Sequence, residues 1–289
     1  MTESMADSPN KANNWPEITE LEKLDAEEFA SRFPFFRTVL PYDPQELEAW
    51  YETEDYRKEL EALIIKRISE APIAASLCQV LTAPVTTKED YFWLCCVGWL
   101  IGSISLEQFE PFRSAVVALS ECDISSAPDG MSLISIQSHA KEMLFFMDNP
   151  DVAYVATRKT DSMFERSLNE RVHSAEEMKP FVDDLLAWLA DLNWPTSEPC
   201  TRQLARFPEA TIDGIIDALE HGNNDPEWQQ HIIEFAREHI PKGPMWERLA
   251  PFVGKQINSG ADNEDEQALS EAAESWVNEW NKWKAQQVN

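Results

Sequence analysis

The chain has 289 residues, 43% of them hydrophobic, enough apolar side chain for one large core or two smaller ones. Its 52 acidic and 24 basic residues give a formal net charge of −28, which disfavours binding to nucleic acid or an anionic membrane and favours a basic protein partner. Eight Gly are few for a β-sandwich or barrel, whereas 18 Pro suit many helices separated by short stops.

Residues 1–14 are polar and read as a disordered tail, without the basic start and apolar stretch of a signal peptide. Asp43-Pro44-Gln45-Glu46 is a helix start, followed by Leu47, Trp50 and Tyr51, then Leu60, Leu63, Ile64 and Ile68 at helical spacing. Thr87-Lys88-Glu89-Asp90 opens a second helix with Trp93 and Trp99. Its window from Tyr91 to Leu106 is apolar on nearly every side but lacks flanking basic clusters, so it reads as a buried central helix rather than a membrane span. Cys95 and Cys96 within it are expected as buried thiols. Ser105 with Gln108 opens a third helix carrying Phe109, Phe112, Val116 and Leu119. A fourth is expected from about Leu133 to Phe146, ending before Asn149-Pro150. Val152, Tyr154 and Val155 have the pattern of a short extended piece. The stretch to His173, basic at Arg158, Lys159, Arg166 and Arg171, reads as a domain boundary holding a short helix.

Ser174-Ala175-Glu176-Glu177 is a further capping box, followed by an inward stripe of Phe181, Val182, Leu185, Leu186 and Leu189. Asp191-Leu192-Asn193-Trp194-Pro195 is a turn in which Trp194 is expected to plug the gap between two helices and Pro195 to begin the second. Thr196 or Ser197 begins the next helix, around Leu204. Ile212, Ile215, Ile216 and Leu219 mark another. Asp225-Pro226-Glu227-Trp228 opens one with Trp228, Ile232, Phe235 and His239 on one face, stopped by Pro241. After the polar link 259–266, a last helix places Leu269, Ala272, Ala273, Trp276, Trp280 and Trp283 on one face, expected to pack back on the preceding helices. The reading is an all-α chain of antiparallel helix pairs: a HEAT-like or armadillo-like array over 174–289, and an additional helical N-terminal domain over 15–160. No rigid sequence period is visible.

The segment Asp184-Leu185-Leu186-Ala187-Trp188-Leu189-Ala190-Asp191-Leu192-Asn193-Trp194-Pro195, with Asp225-Pro226-Glu227-Trp228 after it, resembles the "LLxWLxDxNWP" and "xxEW" signature of a small bacterial family of unknown function. The resemblance runs from roughly Ser174 to Pro241. It implies a HEAT-like array, and the family is similar to small domains encoded near polymorphic toxins, where such proteins are candidate immunity factors. No functional residue of the family is available to carry over.

The residues offer no recognisable chemistry. An odd number of Cys (Cys78, Cys95, Cys96, Cys122, Cys200) without framework spacing argues against a secreted disulfide scaffold. None of His139, His173, His221, His231 and His239 lies in an H-E-x-x-H pattern, and no Cys pair has zinc spacing. Phosphate-binding Gly loops and G-x-S-x-G elbows are absent from the sequence. The expectation is a cytoplasmic protein that is not an enzyme, with no catalytic residue, metal or cofactor. It would be an immunity protein that sterically neutralises a basic toxin domain and binds neither nucleic acid nor membrane. Candidate contacts are Asp225, Glu227, Asp262, Glu264, Asp265 and Glu266. The alternative is a helical scaffold or adaptor that binds a peptide or host protein.

Overall fold

The computed structural model describes residues 15–40, 53–126, 132–221, 225–257 and 263–287. Among them every regular element is helical, and the chain divides into two units, Met1–Asp148 and Asn149–Asn289. The expected tail and the helix start at Asp43, with Leu47, Trp50 and Tyr51, lie outside the described residues.

The first unit holds α1 (Ile18–Leu21), α2 (Ala26–Ala30), α3 (Phe33–Val39), α4 (Glu54–Arg67), α5 (Ala71–Thr82), α6 (Lys88–Gly102), α7 (Leu106–Phe109), α8 (Arg113–Ser120) and α9 (Ile134–Asp148). Helix α6 starts where its sequence predicts. The Asp90 amide donates to Thr87 Oγ1 at 3.1 Å, and Asp90 Oδ2 accepts from the Thr87 amide at 2.9 Å. Partial desolvation works against charge on Asp90. Even so, donors from Thr86 and Thr87 hold its carboxyl down at about 2, and Arg37 Nη2 reaches it at 2.8 Å. Helix α6 is not buried on all sides, however. Trp93, Val97 and Ile101 are buried, but Trp99 is 56% exposed and Cys95 and Cys96 are half-buried. Its neighbours α5 and α9 cover only part of its circumference. The helix expected from Ser105 breaks at Pro111 into α7, a 3-10 turn Glu110–Phe112 and α8. Sequence reasoning missed α1 to α3 and α5, although α5 carries a legible stripe in Ile73, Leu77 and Leu81, all buried.

The second unit holds α10 (Met163–Arg171), α11 (Ala175–Met178), α12 (Val182–Ala187), α13 (Ser197–Arg206), α14 (Pro208–His221), α15 (Pro226–His239), α16 (Pro244–Lys255) and α17 (Glu264–Gln287). Val152, Tyr154 and Val155 form no strand. Instead the Tyr154 amide donates to Ser167 Oγ at 3.2 Å, so the segment is pinned to α10 by side chains. Ser174 caps α11 by accepting from the Glu177 amide at 3.3 Å. Pro180 then divides the expected stripe with a 3-10 turn, Lys179–Phe181, yet Val182, Leu185, Leu186 and Leu189 stay buried. At Gly214 a Cβ would stand 2.5 Å from Val182 Cγ1, so α14 approaches α12 at a distance only Gly permits. Helix α16 was not foreseen. It follows Gly243, whose φ of 130° suits Gly, and buries Trp246, Leu249 and Val253.

The last helix packs inward, as its Trp stripe predicts. Trp276 stacks on Trp246 with ring centroids 4.3 Å apart, and both are fully buried. Trp280 is buried beside them and stacks with the partly buried Trp283 at 5.2 Å.

One pattern of ties recurs in both units. In the second, Arg202 pairs with Glu165 and Arg206 reaches the Val172 carbonyl, 37 and 34 residues back. Trp228 and His231 reach the carbonyls of Leu186 and Leu189, each 42 back. Arg248 pairs with Asp213 and Gln256 reaches the Leu219 carbonyl, 35 and 37 back. Arg237 bonds Ser275 and Lys242 pairs with Glu279, 38 and 37 apart. In the first unit Tyr56 reaches Pro16 and Arg67 reaches Leu24, 40 and 43 back. Tyr91 reaches Ser132, and His139 reaches Gly98, each 41 apart. In each of these sets both residue numbers rise together, as between neighbours that run parallel 34 to 43 residues apart.

Candidate protein-binding surfaces

The segment Leu185–Pro195 ends α12, and a helix end leaves orphan carbonyls that need donors. Neighbouring side chains supply them. The Trp228 indole N–H donates to the Leu186 carbonyl at 2.8 Å, and His231 Nδ1 lies 2.8 Å from the Leu189 carbonyl. The Ser197 hydroxyl lies 2.9 Å from the Trp188 carbonyl and 2.7 Å from that of Asp191. Asp191 Oδ1 accepts from the Asn193 amide at 3.0 Å, shaping the turn. The two halves of the signature noted in the sequence are therefore one hydrogen-bonded structure. Trp228 of the second half closes the helix end of the first. A DUF5071 domain, a domain of unknown function, covers residues 154–277. That span begins well before Ser174, because the 154–173 segment belongs to the same unit and its Phe164 and Leu168 lie in the same core. No curated protein matches the chain.

Within the DUF5071 domain, Trp194 does not plug an interhelical gap. It is partly buried, meets Trp188 edge-on at 5.3 Å, and helps line an open cleft of about 650 Å³. Pro195 likewise precedes rather than begins α13, which starts at Ser197 with Thr196 as its cap residue. Tyr154, Phe181 and Trp188 complete the aromatic part of the lining, and Asp184 adds a carboxylate. The Trp188 indole N–H donates to the Ala156 carbonyl at 3.1 Å, which fixes one wall. The Lys159 ammonium stands 4.0 Å from the Trp194 ring centre. Asp184 is exposed and has no ion pair or hydrogen bond among the described residues. Sequence reasoning missed this cleft. The aromatic residues were visible, but the segment 153–157 that closes it carries no motif.

The acidic candidates are also placed. Asp225 caps α15, accepting from the Trp228 amide at 3.1 Å, and remains exposed, as does Glu227. Glu264, Asp265 and Glu266 occupy the first turn of α17, where the helix dipole favours them. Asn263 caps that turn by accepting from the Glu266 amide at 2.9 Å. Asp262 lies outside the described residues. The ties 237–275 and 242–279 set α15 and α17 parallel with an offset of 37 to 38 residues. At equal rise per residue, Glu227 stands level with Glu264 and Asp265, and Asp225 with Asn263 just before them. Two acidic runs that are remote in sequence thus share one end of the unit.

In the first unit Tyr91, Phe92, Cys95, Cys96 and Trp99 line a second cleft, of about 430 Å³. Burial raises both thiols, and the neighbouring Glu61 carboxylate pushes Cys96 up further. Burial likewise lifts Cys200 to about 12. These sulfurs are protonated and poorly nucleophilic at neutral pH. Among the described residues no three His, Cys, Asp or Glu side chains converge as metal ligands, and no helix is long and apolar enough to cross a membrane.

Proposed function

We propose that the protein is a bacterial immunity protein, acting in the cytoplasm, that captures and sterically occludes a basic toxin domain. The observation that carries this reading is the acidic end of the second unit, which the exposed Asp225, Glu227, Glu264 and Asp265 share. Most cations of the DUF5071 domain are already engaged by its own carboxylates, including Arg166, Lys179, Arg202, Arg248 and Lys255. The surplus is therefore a negative field that accelerates encounter with a cationic surface. The parallel ties 34 to 42 residues apart support a HEAT-like array, whose rigid stack would hold such a surface in place.

The test is a pull-down of the tagged protein from its native cells at low and moderate salt. One stoichiometric basic partner, lost as salt rises, is the expected result. Replacing Asp225, Glu227, Glu264, Asp265 and Glu266 by their amides, with Asp262→Asn, should slow association about tenfold or more and flatten its salt dependence. An unchanged rate overturns this assignment. A helical adaptor for a peptide is the second reading, favoured by the open aromatic cleft. A partner encoded apart from any toxin gene would favour it.

A further inference from the structure

The acidic end steers a partner but does not specify what it grips. Asp184 stands in a different setting, at an open cleft lined by four aromatic side chains, Tyr154, Phe181, Trp188 and Trp194, among small and aliphatic ones. A carboxylate without a counter-charge beside aromatic faces is a poor site for an anion or a purely apolar group. It suits a cation that binds carboxylate and ring face together, and arginine is the best fit because its planar guanidinium does both. The chain shows that one of these rings accepts a cation, since its own Lys159 sits over Trp194 at 4.0 Å. The cleft, about 650 Å³, falls within the roughly 300–1,000 Å³ of side-chain and ligand pockets. Its position in the hydrogen-bonded turn makes the walls rigid, because the Trp188 indole and the backbone after it are held by Ala156 and Ser197.

We propose that this cleft is a receptor for an exposed arginine side chain on the basic partner, with Asp184 as counter-charge and Trp188 and Trp194 as stacking walls. The inference rests on the reading that the partner is basic, and it names what that partner inserts.

The probe is an acetylated, amidated Gly-Arg-Gly peptide, with Gly-citrulline-Gly as its uncharged counterpart. Binding is followed through the indole N–H resonances of the full-length protein, with Trp188 and Trp194 assigned by substitution with Phe. The arginine peptide should shift both indoles saturably and the citrulline peptide should not. Asp184→Asn should weaken binding about tenfold, while Glu227→Gln, which removes the same charge elsewhere, should change it less than about twofold. Asp184 is exposed, so the variant should fold, and an unchanged circular dichroism spectrum checks this. Motionless Trp188 and Trp194 indoles, equal binding of citrulline, or equal effects of the two acidic variants would each overturn the proposal. In the pull-down, a basic partner still held by Asp184→Asn at unchanged affinity sinks the cleft alone. Recovery of no basic partner sinks the broader reading.

Discussion

The two units share a rhythm of parallel ties, but they finish their surfaces differently. In the second unit, indoles do the closing: Trp228 and Trp246 each donate to a carbonyl at a helix end, Trp188 to one in the irregular 152–156 segment, and Trp246 also stacks on Trp276. The first unit uses Tyr56, Arg67 and Tyr91 for such bonds and leaves Trp99, Leu106, Ile134 and Phe145 exposed. Both units bury large aromatic side chains, Phe36, Trp93 and Phe146 in the first and Trp246 and Trp276 in the second, but the exposed ones among the described residues, Trp99 and Phe145, lie in the first. The lesson is that richness in Trp does not predict a docking stripe. The α17 series is core, whereas the lone Trp99, expected inside, is out.

The sharpest test of that contrast is a pair of truncations. Trp246→Ala removes a fully buried indole from between α16 and α17 and should destabilise the second unit by about 3–5 kcal/mol. Trp99→Ala should cost under about 1 kcal/mol in the first. Denaturant unfolding monitored by circular dichroism measures both. Similar losses would erase the contrast.

Trp228→Phe is a finer cut. It keeps an aromatic side chain, though a smaller one, but leaves the Leu186 carbonyl without its donor, and should cost about 1–3 kcal/mol. Unchanged stability would mean that water replaces the indole, and that the turn signature is held by packing alone.

A further test probes the first unit by pH. Asp90 is held at about 2 when folded against 3.8 otherwise, so its contribution is fully present above pH 3.8 and is lost as pH falls towards 2. Asp90→Asn should therefore cost about 1–2 kcal/mol near neutrality, and the difference from the parent should vanish below about pH 2. A difference that persists at pH 2 would assign the effect to lost packing rather than to charge.

Much of the local structure was legible in the residues. Thr87 with Asp90, Ser174 and Asp225 each cap a helix where the sequence puts one, because a short polar side chain followed by a free amide is a local arrangement. The inward stripes of α12, α14 and α17 follow from helical spacing for the same reason. Other features depended on partners. Helix α16 escaped notice because Pro251 interrupts its pattern, and Trp99 was misplaced because periodicity says which face is apolar but not how far a neighbour covers it.

What the sequence by itself determined is thus the all-helical class, several helix starts and the buried stripes, all set by interactions within one turn of chain. Only the tertiary structure decided the 34 to 43 residue spacing of the ties, the meeting of two acidic runs at one end, and the cleft beside Trp194. The physical reason is that a helix-end carbonyl needs a donor but not a particular residue. Trp228, Gln256 and Arg206 all serve, so the spacing repeats in space while no residue type repeats in the sequence.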